Sequence, residues 1–226
     1  MTARHIPTLL LTLLAFALPM VAAEHPVPLE KDTDCATCHE DKTKGKAVHS
    51  AIAMGCATCH EVKTEKDVTT VNLVSPKEEL CFTCHEKSQD AVRHMPYDQG
   101  QCVTCHDPHT SDNPKQLRQP VVQLCFSCHG TNQPGVTIAA DTGSVTLPGN
   151  QTINLQMYGK APKLGLDRSG ASGHPIMGHP FSGPDPRDKS SQISCLSCHQ
   201  PHSSKVQFLM PADVKNDLDL CTRCHQ

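Results

Sequence analysis

Fourteen cysteines and fifteen histidines dominate the chemistry available to this sequence of 226 residues. Every cysteine belongs to a Cys-x-x-Cys pair, and a histidine directly follows every pair. The paired cysteines are Cys35/Cys38, Cys56/Cys59, Cys81/Cys84, Cys102/Cys105, Cys125/Cys128, Cys195/Cys198 and Cys221/Cys224. The histidines that follow them are His39, His60, His85, His106, His129, His199 and His225. Cys-x-x-Cys-His is the attachment motif of c-type haem: two thiols bond to the porphyrin and the adjacent imidazole is the proximal iron ligand.

Two other uses of paired cysteines are zinc ribbons and disulfide frameworks. Neither explains the histidines. His makes up about one residue in fifteen, so its presence after all seven pairs has odds on the order of 10⁻⁸ by chance. The sequence therefore predicts seven covalently attached haem c groups.

The composition agrees with an interior built from porphyrins. The chain has no Trp, five Phe and two Tyr, and 37% of its residues are hydrophobic. Such a chain has too few large apolar side chains for an ordinary core. We expect a mostly irregular fold with short α-helices around a haem core. A Ser75-Pro76-Lys77-Glu78 capping box predicts one helix start.

The motifs repeat as pairs. Leu80, Leu124 and Leu220 directly precede three motifs, and each of these follows another motif by 23 to 26 residues. Three doublets and one solitary N-terminal motif result. Two of the preceding motifs share a tail, since Pro-His follows in both Cys102–His109 and Cys195–His202.

In these features the chain resembles the multihaem c-type cytochromes of the doubled-CXXCH family. The resemblance is close over residues 102–129 and 195–225. The doublet over residues 56–85 departs from it, because Glu61-Val62-Lys63 stands where the others have Pro-His. The resemblance implies electron transfer, with an upstream quinol-oxidising complex and a downstream reductase, outer-membrane conduit or extracellular acceptor as redox partners.

Seven further histidines follow residue 23, one for each predicted iron. These candidate distal ligands are His25, His49, His94, His109, His174, His179 and His202. Their number favours bis-histidine ligation, which gives lower potentials than His/Met ligation. His109 and His202 lie three residues after a proximal His, which is too short a reach to the opposite face of the same iron. Each must therefore serve a neighbouring haem.

The other candidates rest on their surroundings. His174 and His179 stand in Gly-His-Pro sequences, where Pro favours extended backbone and Gly permits close approach to a porphyrin. His25 is the weakest candidate, because the end of a chain is normally frayed. Met54 or Met95 is an alternative to a missing His, or packs around the porphyrins.

Four segments follow from this reading. Residues 1–23 are a predicted signal peptide, with Arg4 in the n-region, Leu9–Leu18 apolar and Val21-Ala22-Ala23 before the cleavage site. An uncleaved membrane anchor is the alternative. Residues 24–130 hold five haems, 131–194 form a Gly/Pro-rich insertion that supplies distal His, and 195–226 hold two haems. Alternation over Val136–Tyr158 predicts one or two β-hairpins within the insertion, which otherwise is a docking face or a plain surface loop.

The function expected is electron transfer outside the cytoplasm, in the periplasm, at the cell surface or in the extracellular space. Removal of residues 1–23 takes the net charge from −3 to −4. Seven oxidised haems with ionised propionates would bring it to about −11, which favours positively charged partners and excludes a nucleic-acid footprint. Two alternatives remain open: a multihaem reductase of small nitrogen or sulfur oxyanions, and a subunit of an extracellular cytochrome filament. In a filament or other homo-oligomer, His25 is the ligand that a neighbouring subunit would donate.

Overall fold

The fold is mostly irregular, as the sequence predicts. In the computed structural model, residues 24–30, 33–164, 174, 176, 178–180 and 182–225 are described. The predicted signal peptide lies outside these residues. Within them the chain forms short helices, single 3-10 turns and small antiparallel strand pairs. The predicted fold class is confirmed.

The helices and strands are short throughout. The α-helices of the described residues are α1 (Lys77–Leu80), α2 (Met95–Asp98), α3 (Val121–His129), α4 (Leu155–Lys160) and α5 (Asp217–Thr222). The strands are β1 (Ala47–Val48), β2 (His60–Glu65), β3 (Val68–Leu73), β4 (Val92–Arg93), β5 (Thr110–Ser111), β6 (Thr137–Ala139), β7 (Ser144–Leu147), β8 (Gln151–Asn154), β9 (Gly183–Asp185), β10 (Asp188–Ile193) and β11 (Ser203–Ser204). None of these helices is long and apolar enough to cross a lipid bilayer.

The predicted capping box before α1 is wrong. Pro76 is the N-cap, with φ −52° and ψ 139°, so the helix begins at Lys77 rather than at Pro76. Ser75 lies outside the helix, and its buried hydroxyl has no hydrogen-bond partner. The extended conformation of Pro76 removes Ser75 from capping distance, although Leu80 still leads into the motif at Cys81.

The insertion contains the predicted β-structure. Strands β6, β7 and β8 form a three-stranded antiparallel sheet, with Val145 opposite both Ile138 and Ile153. Gly149 and Asn150 adopt positive φ in the turn between β7 and β8, where their residue types tolerate that conformation. The predicted β-hairpins are confirmed.

A second hairpin was not predicted. Strands β2 and β3 pair over six residues each, from His60 opposite Leu73 to Glu65 opposite Val68. It occupies the place in the first doublet where the later doublets have Pro-His. Two much shorter pairs, β1 with β5 and β4 with β11, join parts of the chain that are far apart in sequence.

Candidate functional site

The seven Cys-x-x-Cys-His motifs share one local conformation. Five of them begin on a 3-10 turn, and those at Cys125 and Cys221 lie at the ends of α3 and α5. In the motif at Cys35, the N–H groups of Cys38 and His39 donate to the carbonyl of Cys35 at 3.3 and 2.9 Å. One such turn presents both thiols while holding the imidazole next to them. None of the fourteen cysteines forms a disulfide.

Protein atoms cover the attachment cysteines to different extents. Four of them are exposed, namely Cys38, Cys56, Cys84 and Cys221. At the third motif, the N–H of Cys84 donates to the carbonyl of Cys81 at 3.3 Å, and the Thr83 hydroxyl donates to the Cys84 sulfur at 3.8 Å. The turn fixes the position of this thiol.

Each motif histidine lies beside one histidine from outside the motifs. The ring pairs and their centroid distances are His39–His25 at 6.1 Å, His60–His109 at 6.0 Å, His85–His49 at 6.0 Å, His106–His202 at 5.8 Å, His129–His94 at 6.0 Å, His199–His174 at 6.0 Å and His225–His179 at 6.3 Å. The seven pairs use each of the fourteen histidines once. All seven candidate distal histidines therefore lie next to a predicted proximal one.

This spacing fits two imidazoles on opposite sides of one metal ion. A metal–imidazole nitrogen bond of about 2.0 Å, with the ring centroid about 1.1 Å beyond the nitrogen, places two opposed centroids roughly 6.2 Å apart. The observed range is 5.8 to 6.3 Å. The residues present thus fit seven haem irons, each held by one motif and one further histidine.

His109 and His202 lie beside motifs other than their own. The ring of His109 pairs with His60 of the preceding doublet, and the ring of His202 pairs with His106. Both carbonyls are fixed by strand pairing: the N–H of His49 donates to His109 at 2.8 Å, and that of His94 donates to His202 at 2.9 Å. The second and third doublets therefore each contribute a histidine to the doublet before them.

The chain just after each Pro-His tail supports a proximal histidine ring. The carbonyls of Lys115 and Phe208 each lie 2.8 Å from the Nδ1 of the proximal histidine nine residues earlier, His106 and His199. Lys115 and Phe208 adopt φ near +60°, which is unfavourable for such side chains. A hydrogen bond of this kind fixes the ring orientation of a metal-bound histidine and raises its basicity.

His129 is supported by the insertion instead. The carbonyl of Pro162 lies 2.9 Å from His129 Nδ1, and the N–H of Leu164 donates to the carbonyl of His129 at 2.6 Å. Lys163, between them, donates to the carbonyl of Cys128. Residues 162–164 thus wrap the fifth motif, which sequence reasoning did not find because nothing in the residue types marks these backbone contacts.

His25, the first of the candidate distal histidines, is held by the β2–β3 hairpin. The N–H of His25 donates to the carbonyl of Thr69 in β3 at 2.8 Å, and its Nδ1 lies 2.8 Å from the carbonyl of Val27. Its ring lies beside His39 of the same chain. The hairpin, rather than a Pro-His tail, therefore serves the first motif.

The insertion brings two histidines to the last doublet. The ring of His174 lies against His199, with the planes 13° apart, and the ring of His179 lies against His225 at 79°. His174 takes the place that a Pro-His histidine holds in the earlier doublets, and His179 that of His49 and His94.

The surroundings of several candidate distal histidines favour the neutral imidazole. Burial, followed by the nearby His129, lowers the pKa of His94 to about 4. Burial is also the largest cause that lowers the pKa of His109, His174 and His202. Because metal binding requires the unprotonated imidazole, this environment favours ligation at neutral pH.

The attachment sites are arranged in sequence order. Thiols of consecutive motifs lie close enough to interact, in the pairs Cys35–Cys56, Cys59–Cys81, Cys81–Cys102, Cys105–Cys128, Cys125–Cys195 and Cys198–Cys224. Burial raises the pKa of the Cys105 thiol to about 11, so this part of the row lies away from water. Each attachment site therefore has a neighbour in the next motif, and this series of seven neighbouring sites is called the row.

The comparisons with known proteins match the doublets. A sequence model of the family described as the doubled CXXCH motif matches residues 49–90, 94–134 and 188–226, more than half of the chain. The first two matched segments begin at His49 and His94. No protein in the curated set gives a significant match.

The Cys-x-x-Cys-His motifs in these segments indicate covalently bound haem c. Each matched segment contains two motifs, as the sequence predicts for the three doublets. The motif at Cys35 lies outside the matched segments. The chain belongs to the doubled-CXXCH family of multihaem c-type cytochromes.

Proposed function

We propose that the protein is a heptahaem c-type cytochrome that carries electrons between redox partners outside the cytoplasm. The observation that carries this proposal is the set of seven histidine pairs, one at each motif, with ring centroids 5.8 to 6.3 Å apart. Haem c, when bound, supplies one-electron redox chemistry. The chain supplies attachment, axial ligands and spacing.

The residues have three roles in this proposal. The fourteen motif thiols anchor the groups, and the seven motif histidines bind the proximal side. The other seven histidines would supply the second imidazole at each site. Closely spaced motifs in sequence order keep successive groups near one another, which electron transfer requires.

The same pairing argues against a reductase. A haem enzyme needs an iron with one open coordination position and a pocket beside it. Here each motif histidine has a partner ring. The filament alternative had assigned His25 to a neighbouring subunit, whereas its ring lies beside His39 of the same chain.

Export and partners complete the proposal. The segment with Arg4, Leu9–Leu18 and Val21-Ala22-Ala23 supports secretion to the periplasm or beyond. An overall negative charge on the loaded protein supports redox partners with positive docking faces, such as a quinol-oxidising complex, a reductase or an outer-membrane conduit.

The native holoprotein tests this function. Its denatured mass should equal the chain from residue 24 plus seven haems, and a reductive titration should take up seven electrons per chain. Association with a positively charged redox partner should slow as salt rises. A lower haem count, or steady turnover of nitrite or hydroxylamine, would contradict the proposal.

A further inference from the structure

Two charged side chains are hydrogen-bonded to attachment motifs without a charged partner in the described part of the chain. Asp34 caps the first motif, because its Oδ1 accepts the N–H of Ala36 at 3.0 Å. Ala36 lies between the two cysteines of that motif. The negative charge of Asp34 therefore lies directly against the first attachment site.

Lys163 contacts the fifth motif. Its Nζ donates to the carbonyl of Cys128 at 2.5 Å and to that of Tyr158 at 3.3 Å. The same ammonium lies 3.4 Å from the centroid of the Tyr158 ring, in a cation–π arrangement. Two carbonyls and an aromatic face hold a positive charge against this site.

Two arginines near the motifs are balanced by carboxylates. Arg118 donates to the carbonyl of Val103 in the fourth motif at 2.7 Å, but it also pairs with Asp107 at 3.1 Å. Arg223, inside the seventh motif, pairs with Asp213 at 2.7 Å. A paired guanidinium has a much weaker field at a distance than a single charge.

Arg187, near the last doublet, follows the same rule. It interacts with the thiols of Cys198 and Cys224, and it makes two bonds to the carboxylate of Asp185, at 2.9 and 2.6 Å. Its charge at these thiols is therefore compensated.

Lys87 lies close enough to interact with the Cys102 thiol, but in the described structure it donates to no motif backbone atom. Its Nζ lies 5.2 Å from the ring centroid of Phe82 in the third motif, but it donates to the carbonyl of Asp98, which belongs to α2, at 3.2 Å. Asp34 and Lys163 thus remain as the uncompensated charges that hydrogen-bond to motif backbone among the described residues.

We propose that these two residues set opposite redox preferences at the sites they contact. This inference rests on the proposed function. A ferric haem carries one more positive charge than a ferrous one, so a nearby cation favours the reduced form and a nearby anion favours the oxidised form. Lys163 favours reduction at Cys125/Cys128, and Asp34 favours oxidation at Cys35/Cys38.

The consequence is an electrical polarity along the row. Asp34 disfavours the reduced haem at the first motif, and Lys163 favours the reduced haem at the fifth. An electron received at the first motif from a ferrous haem protein is thereby drawn inward. The change at each site is one electron, with no bond formed and no proton moved.

Lys163→Gln tests the stronger contact, since Gln keeps hydrogen-bonding groups and removes the charge. In a redox titration of the holoprotein, we expect one midpoint potential to fall. The ratio of oxidised to reduced form at that site should rise about threefold, which is about 28 mV at 59 mV per decade. Lys163→Met should give the same fall, and Lys163→Arg should not.

Lys160→Gln is the matched control. Lys160 is an exposed lysine at the end of α4, three residues earlier, and the described structure gives it no contact with a motif. Its loss should leave all seven potentials in place. An equal fall in Lys160→Gln, or no fall in either the Gln or the Met variant at 163, would overturn the inference.

Asp34→Asn should act in the opposite direction. Asn can accept the same N-cap hydrogen bond, so only the charge is lost and one potential should rise. Electron paramagnetic resonance during the titration separates the two shifts, because steeply inclined ring planes, 68° apart at His25/His39, and nearly parallel ones, 22° apart at His94/His129, give different low-spin ferric signals.

These outcomes are separable from the proposed function. The haem count and the absorption spectrum of every variant should equal those of the parent protein. A parent protein with fewer haems would refute the proposed function. Potentials that do not respond to either charge, in a protein with seven haems, would refute the polarity alone.

Discussion

The sheet of the insertion and the haem-motif doublets are stabilised in different ways. The sheet of β6, β7 and β8 with α4 packs Val145, Leu147, Ile153 and Tyr158 into a cluster, each no more than 9% exposed. In the doublets, by contrast, the buried residues described are mainly polar, such as Thr69, Thr104, Ser127 and Ser204. One region contains its own apolar core, whereas the other has histidine pairs and thiols where a core would be.

This difference assigns the two regions different dependence on haem. Burial of the four apolar side chains stabilises the sheet without a haem, although Cys128 of the fifth motif packs against the same cluster. In the doublets, pairings such as β1 with β5 contain two residues in each strand, which is too little to be stable alone. Covalent porphyrins are therefore what holds the doublets together.

Haem removal should separate the regions most completely. In protein produced without haem attachment, we expect amide hydrogen exchange to be slow only over residues 137–160. The doublets should exchange at the rate of an unfolded chain, because their ligand pairs lack the central iron. Native-like protection of His49 to Thr110 in the haem-free protein would contradict this account.

Exchange of one ligand should have the next largest effect. His202→Met should keep seven haems and raise one midpoint potential, since His/Met ligation favours the reduced form. We expect a shift on the order of 100-fold in the redox ratio, roughly 120 mV. Lys205→Met, an exposed change three residues away, is the control.

The affected site distinguishes the pairing in the structure from a local one. The change should appear at the motif of His106, whose ring lies 5.8 Å from His202. An unchanged titration would show that His202 is not a ligand. A shift at the motif of His199 would show that the doublets do not exchange histidines.

A core substitution should have the smallest effect and remain local. Val145→Ala removes two methyl groups from a side chain with 0% exposure, and should destabilise the sheet by about 2 kcal/mol. Ile138→Ala, at a residue of β6 that is 55% exposed, should cost less than about 0.5 kcal/mol. Thermal unfolding followed by circular dichroism measures both.

Either of two results would contradict the assignment of an independent apolar core to the sheet. Equal destabilisation by the two substitutions would show that the cluster around Val145 is no core. Loss of haem from Val145→Ala would show that the sheet and the doublets are not independent in stability.

The sequence predicts chemistry better than pairing. The motif spacing identifies the thiols and the proximal histidines, and a count finds the seven others. Short reach predicts that His109 serves another motif, but not that its partner is His60. That choice depends on β1 and β5, which are too short to leave a hydrophobic period in the sequence.

The sequence also does not predict how far other parts of the chain cover each attachment cysteine. Cys81 and Cys84 belong to one motif, yet only Cys84 is exposed. The residue types of a motif are the same whether its turn lies under other elements or at the surface. Packing between distant parts of the chain decides that difference.

Backbone contacts account for the rest of what could not be predicted. The carbonyls of Lys115 and Phe208 each contact the Nδ1 of a proximal histidine, although the two side chains are chemically unrelated. Pro162 supports His129 from 33 residues away. The sequence of the β2–β3 hairpin shows only a weak alternation of Val and Thr, which did not predict a hairpin. At α1, the extended backbone of Pro76 makes it the N-cap in place of Ser75.

We expect each of the seven histidine pairs to bind one haem iron on both sides. Low-temperature electron paramagnetic resonance of the fully oxidised holoprotein, with quantified spins, tests it most directly. We predict seven low-spin ferric haems per chain and no high-spin signal. A high-spin signal equal to one or more haems per chain would show an iron without its second histidine and contradict the claim.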